Sequence, residues 1–231
     1  MKHKQTYFTL GSTFLVIFMM LGYVVKFYPE AVTGLDSSIQ LSVRGDLPAH
    51  LTVFFKVITN FGHEALAFVY TFAIAAFFYF RKNWKTEGLL LAGNLVLMGA
   101  FSTVFKYLYN RPRPSLEFLV KRPMGPSFPS WHAASSMIVA ISLMIIIEQH
   151  LTKTVAKRLL QVLVLVLALL TAVSRIYLGV HYPTDILGGW LLALAISLAV
   201  YPIYDKKRFE WRFQGNKIKY EGDDRRVVFL R

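Results

Sequence analysis

Six runs of apolar residues leave this chain few alternatives. A membrane core about 30 Å thick takes roughly 17–25 apolar residues of helix to cross. Runs of that kind occupy residues 7–28, 63–80, 88–107, 130–148, 159–174 and 183–204. The fifth is the shortest and the purest, with LLQVLVLVLALLTAV at its centre. Hydrocarbon offers backbone N–H and C=O groups no partners, so each run must bond internally as a helix. The predicted fold is therefore all-α, a polytopic bundle of six transmembrane helices. Composition agrees, with 55% hydrophobic and 17% charged residues, where a soluble domain carries about a quarter charged. The first run follows Met-Lys-His-Lys, but it is too long for the core of a signal peptide and no A-x-A site follows, so it reads as an uncleaved anchor.

An even number of spans puts both termini on one side. Segments 1–6, 81–86, 149–158 and 205–231 then share a face and hold seventeen of the 26 basic residues. The positive-inside rule makes that face cytoplasmic, in a plasma or inner membrane. The formal charge of +13 is thereby explained without nucleic acid as a partner. With no cysteine in the chain, there is no disulfide, no thiolate nucleophile and no zinc-thiolate site. Residues 29–62 are interrupted by Asp36, Arg44, Asp46, Pro48 and Lys56 and read as a pair of short outer interfacial helices. Residues 205–231 form a basic cytoplasmic tail, whose alternation and Gly215-Asn216 pair predict a small hairpin near the headgroups.

An ionisable group at a membrane span needs a partner or a purpose. Lys106 closes the third span, with Arg113-Pro114 following in the spacing K-x6-R-P. Pro129-Ser130-Trp131-His132 opens the fourth. Ser174-Arg175 closes the fifth, and His181 and Asp185 open the sixth, giving S-R-x5-H-x3-D. Under six spans all these blocks lie at the outer ends of helices. Ser130 suits an N-cap and Pro183 a first helical turn, so two positive helix N-termini and three cations surround one volume, suited to a phosphate. Asp185, four residues from His181, is placed to bond one imidazole nitrogen if the helix starts early, which makes the other a better nucleophile. His132 has no such carboxylate and is freer to act as an acid. Together these groups suggest phosphoryl transfer through a phosphohistidine.

The blocks KYLYNRPRP, PSWH and SRIYLGVHYPTD resemble, in order and inner spacing, the signature of the type 2 phosphatidic acid phosphatase (PAP2) superfamily of membrane phosphatases. The resemblance covers residues 106–185 directly and, through the six-span layout, most of the chain. It implies that Lys106, Arg113, Ser130 and Arg175 bind the phosphoryl oxygens. It also implies that His181 attacks phosphorus, that Asp185 orients its ring, and that His132 protonates the leaving oxygen and then activates water. No metal or other cofactor is implied, because three cations can neutralise the phosphoryl oxygens. The implied substrate is a lipid phosphate drawn from the bilayer at the outer leaflet. Undecaprenyl diphosphate is favoured, with phosphatidylglycerophosphate and phosphatidic acid as alternatives. Trp131 stands where the family has Gly, which predicts intact activity with an altered substrate preference.

Other polar residues carry plainer expectations. Lys121 and Arg122 read as solvated loop charges or headgroup contacts. Arg111 reads the same way, although Arg111-Pro112 duplicates the next Arg-Pro pair and makes it a candidate substrate contact beside Trp131. Glu64 and Asn94 read as helix-packing groups, and His3, His50, His63 and His150 as surface or interfacial residues. A phosphotransferase, or a binding or transport protein that holds a phospholipid without cleaving it, stays open as a rival. The His181, Asp185 and His132 set separates the latter from an enzyme, because binding does not need it.

Overall fold

The computed structural model describes residues 4–81 and 84–228, with side chains described as far as residue 213. Its elements are α1 (Lys4–Phe27), α2 (Glu30–Arg44), α3 (Ala49–Ile58), a 3₁₀ turn (Thr59–Gly62) and α4 (Glu64–Ala76). A π-helical turn (Phe77–Arg81) then leads to α5 (Lys85–Tyr109), α6 (Trp131–His150), α7 (Thr154–Tyr177) and α8 (Pro183–Val228). Among the described residues there is no strand.

Five helices are long and apolar enough to cross a membrane: α1, α5, α6, α7 and the stretch Pro183–Phe213 of α8. The second run, residues 63–80, is not a straight span: Ala49–Gly62 meets Glu64–Phe80 at 56°, so the helices amount to five crossings, or six if this bent pair counts as one. The packing ranks them. The apolar windows of α6 and α8 are each 56% buried, against 22% for α1, so α6 and α8 form the centre and α1 covers one flank. Leucine, valine and methionine side chains such as Val16, Met20, Leu66 and Val162 face outward, as a bilayer solvent requires. Within the core, Asn94 Nδ2 donates to Ser142 Oγ at 2.9 Å, so this polar group does join α5 to α6.

Residues 29–62 do form two short helices, but α2 is not a simple interfacial helix. Asp36, Gln40 and Arg44, four residues apart and thus on one stripe, are buried, while Leu35 and Leu41 are exposed. This helix turns its polar stripe into the protein and its leucines outward. The tail also departs from expectation. No hairpin forms, and α8 continues as helix through Val228. Extending an existing helix adds one bond per residue without a new nucleus, and Lys206 and Lys207 pair with Glu210 at 3.8 and 3.2 Å. At this end of the bundle Glu87 accepts from His150 Nε2 at 2.8 Å and Arg208 Nε at 3.0 Å, tying α5, α6 and α8 together.

At the other end, the segment before α6 lies on α8 because Gly188-Gly189 opens the space. A Cβ on Gly188 would sit 2.4 Å from the Phe128 ring, and one on Gly189 would sit 2.9 Å from the Ser130 carbonyl oxygen. Ser130 N–H consequently reaches the Asp185 carbonyl at 3.0 Å. We expect Gly188→Val to lower the thermal midpoint in detergent, by an overpacking cost of about 1–3 kcal/mol. Gly34→Ala, where an added Cβ meets nothing within 4 Å, should be neutral or stabilising by up to about 1 kcal/mol.

Candidate active site

The ends of α5, α6, α7 and α8 meet at a cavity of about 630 Å³. Lys106, Arg113, Trp131, His132, Arg175 and His181 all line it. The loop between α5 and α6 brings Arg113 there. Helix α5 stops at Asn110, which adopts the left-handed conformation at φ 48°, and the prolines that follow prevent the helix from resuming. Arg113 then fastens the loop, its Nε donating to Gly125 O at 3.0 Å and its Nη1 to Val180 O at 2.9 Å. Lys106 Nζ donates to Pro126 O at 2.7 Å, and Arg175 Nη1 to Thr59 Oγ1 at 2.7 Å.

The sixth span does not start early enough for His181 and Asp185 to share its helix. His181 lies in the turn before α8, which begins at Pro183. The turn brings them together another way: Asp185 Oδ2 accepts from Tyr182 N–H at 2.9 Å and faces His181 Nδ1 at 3.2 Å. The backbone contact has the form of a capping box, with a carboxylate at the third helical position reaching back to the N–H of the residue before the helix. The other ring nitrogen, Nε2, lies 3.4 Å from Arg113 Nη1. A guanidinium can only donate, so this geometry assigns the ring proton to Nδ1 and leaves Nε2 unprotonated, accepting from Arg113 at the edge of the cavity. Burial holds the His181 imidazole well below its ordinary range, and Lys106, Arg113 and Arg175 push it the same way. Asp185 thus orients the His181 ring, and burial among cations favours its neutral form.

Three buried donors at this site lack partners: Ser130 Oγ, Trp131 Nε1 and Arg175 Nε. Ser130 is the residue that precedes α6, but its hydroxyl makes no capping bond. The first N–H groups of an α-helix also have no partner within it. Donors without acceptors beside lysine and arginine side chains fit an anion with several oxygens. Trp131 stacks on Phe68 with centroids 5.8 Å apart and forms one wall. His132 forms another, and Gly62 lets the 3₁₀ turn press against it: a Cβ there would lie 2.9 Å from His132 Cβ.

The structure also places at or beside the site residues for which the sequence predicts no part in its chemistry. Asn60, His63, Glu64, Lys121 and Arg122 line the same cavity, so Glu64 is a wall residue and not a helix-packing group. Arg111 is neither a solvated charge nor a wall of this cavity. It exposes only 6% of its side chain and bonds Asp36 and Asp185, each at 2.7 Å. Asp36 carried no motif; the only sign of it in the sequence is the spacing of Asp36, Gln40 and Arg44 along a helix. If the unpartnered donors hold an anion, inorganic phosphate should raise the thermal midpoint in detergent. The stabilisation is about 1.4 kcal/mol at ten times Kd, and Arg175→Met should abolish it.

Comparison with known proteins agrees with this geometry. Residues 87–209 match the model of the PAP2 superfamily. Phosphatidylglycerophosphatase B of Bacillus subtilis is 34% identical over 58% of this chain and 66% of its own length. An undecaprenyl-diphosphatase of Sulfolobus acidocaldarius is 25% identical over 79% of this chain and 85% of its own length. The crystal structure of a transmembrane PAP2-type phosphatidylglycerolphosphate phosphatase from Bacillus subtilis superposes with a TM-score of 0.75 at 27% identity, covering 85% of this chain and 96% of the other. The matched block exceeds half of the chain and contains Lys106, Arg113, Ser130, His132, Arg175, His181 and Asp185; the chain belongs to the PAP2 superfamily.

Proposed function

We propose that this protein is an integral-membrane lipid phosphatase that works through a phosphohistidine on His181. The observation that carries the reading is the His181 ring itself, bonded to Asp185 on Nδ1 and unprotonated on Nε2, at a cavity whose wall residues Trp131 and Arg175 each have an unpartnered donor. Nε2 attacks phosphorus as the bond to the leaving oxygen breaks, and His132 gives that oxygen its proton. Water then attacks the phosphohistidine, returns a proton to His132 and releases phosphate. Lys106, Arg113, Arg175 and Ser130 hold the phosphoryl oxygens, and their positive charge opposes the charge that spreads over those oxygens in the transition state. Asp185 stabilises the proton left on Nδ1 throughout.

The favoured substrate is undecaprenyl diphosphate. Lys121 and Arg122 line the cavity beside the inner cations, which supplies charge for a second phosphate. A relative named for that substrate also aligns over 79% of the chain. Phosphatidylglycerophosphate is the second reading, favoured by the likeness to the crystal structure named for it. The positive-inside rule supports cytoplasmic termini, a cytoplasmic basic tail and an outward-facing site.

Phosphate release in detergent with EDTA tests both levels. Wild type should release phosphate, and His181→Ala should fall to the background rate; equal rates would remove the histidine from the mechanism. Faster release from undecaprenyl diphosphate than from phosphatidylglycerophosphate or phosphatidic acid supports the favoured substrate, and the reverse order selects the second reading. Because the folded His181 pKa is lowered, its neutral form persists as pH falls. The acid limb of kcat/KM should therefore lie below the ordinary imidazole value of about 6.5.

A further inference from the structure

We infer that Arg111 and Asp36 are positioning residues of the reaction, forming with Asp185 and His181 a four-member relay that starts on α2. The inference rests on the reading of His181 as the nucleophile. Arg111 Nη1 donates to Asp185 Oδ1 at 2.7 Å and to Thr184 Oγ1 at 2.8 Å, while its Nη2 donates to Asp36 Oδ2 at 2.7 Å. One guanidinium fork therefore bridges two buried carboxylates, and neither of its terminal nitrogens is left to reach into the cavity. Its plane is fixed further by the Tyr182 ring, 3.9 Å from Arg111 Cζ.

Asp36 does a second job. Its Oδ1 accepts from Thr184 N–H at 2.9 Å and its Oδ2 from Thr184 Oγ1 at 2.8 Å. Thr184 is the second residue of α8, whose N–H an N-cap side chain would ordinarily bond. The residue in that place is Tyr182, which has no suitable oxygen, so a carboxylate from another helix caps α8 instead. Asp36 thus holds both the start of α8 and the arginine that holds Asp185. The rest of its stripe grips the same turn, with Gln40 Nε2 donating to His181 O at 3.2 Å and Arg44 Nη1 to Tyr177 O at 3.1 Å.

The charges explain why the bridge acts on the nucleophile and not only on the fold. Asp185 is fully buried and must stay ionised to keep the proton of His181 on Nδ1. Burial alone favours the neutral acid. The charged and titratable groups around it are Asp36 from α2, Lys106 from α5, Arg111 and Arg113 from the loop, and His181 and Tyr182 beside it. Of these, Arg111 is the cation in direct contact. Without it, Asp36 and Asp185 would face each other as two buried carboxylates, a pair that retains a proton. A protonated Asp185 no longer selects the tautomer, and Nε2 loses its advantage as a nucleophile.

Removing one member alone leaves an uncompensated buried charge and can prevent folding, so the test pairs the neutral double variant Asp36→Asn/Arg111→Gln with Arg111→Lys, which keeps the charge and loses the fork. We expect the double variant to fold and to keep its thermal response to inorganic phosphate. Its kcat should fall by roughly a hundredfold, as displaced catalytic geometry does. Its acid limb should move to higher pH, because Asp185 then ionises only as pH rises. Arg111→Lys should lose kcat in the same direction with little change in KM, since Arg111 touches no substrate, and it decides the matter if the double variant does not fold. The ¹⁵N shifts of the His181 ring supply a readout that needs no turnover: Nδ1 protonated in wild type, mixed tautomers in the double variant. Wild-type kcat, pH profile and tautomer in a folded variant would overturn the relay. If wild type hydrolyses no lipid phosphate while the tautomer still follows Arg111, the phosphatase reading fails and the relay stands.

Discussion

A carboxylate buried in a helix bundle stays ionised only if donors surround it, and the end of this molecule is organised around that demand at Asp185. Its two oxygens are met by Arg111, His181 and the Tyr182 N–H within 3.2 Å. These donors come from the α5–α6 loop and from the turn before α8, and both must be delivered to one point. Desolvation of an unpaired carboxylate costs several kcal/mol or is avoided by protonation, and protonation would remove the group that orients His181. Holding the charge and orienting the His181 ring are therefore one structural problem.

The fold solves it by close approach and by an inverted helix. Gly188 and Gly189 let the segment before α6 lie against α8, so that the Ser130 N–H bonds the Asp185 carbonyl. Helix α2 buries its polar stripe, and Asp36, Gln40 and Arg44 each contact the Tyr177–Asp185 region. Its outward leucines suit a surrounding of lipid. An amphipathic helix usually buries its apolar face; here the polar stripe is buried and the leucines Leu35 and Leu41 are exposed. Arg113 links the two halves of the site, since the same guanidinium holds the loop carbonyls and touches His181.

Much of this was legible in the sequence, for reasons that are local. Apolar length predicts the helices α1, α5, α6, α7 and α8 because the bilayer tests each helix separately, but not the bend between Ala49–Gly62 and Glu64–Phe80; the spacings Lys106 to Arg113 and His181 to Asp185 predict which groups lie together. The errors fall where distant parts of the chain meet. Asp36 lies 75 residues from Arg111 and 148 from Thr184, and no periodicity in either segment announces the pairing. Arg111 looked like a spare copy of Arg113, but one turn of loop separates a buried bridge from a cavity wall. Glu64 looked like a packing group because a helix end and a cavity wall have the same local pattern. The tail's alternation and Gly215-Asn216 suggested a hairpin, yet they compete with an already nucleated helix and lose.

The central claim is that His181 Nε2 bonds phosphorus during turnover. Wild type mixed with substrate carrying a ³²P-labelled terminal phosphate, quenched in alkali within one turnover, tests it directly. Protein-bound label should survive alkali, be released by acid and map to the peptide carrying His181. Asp185→Asn should accumulate that label more slowly, because the substitution disturbs the tautomer. Full turnover by wild type with no acid-labile label at any time, or label on a residue other than His181, would contradict it.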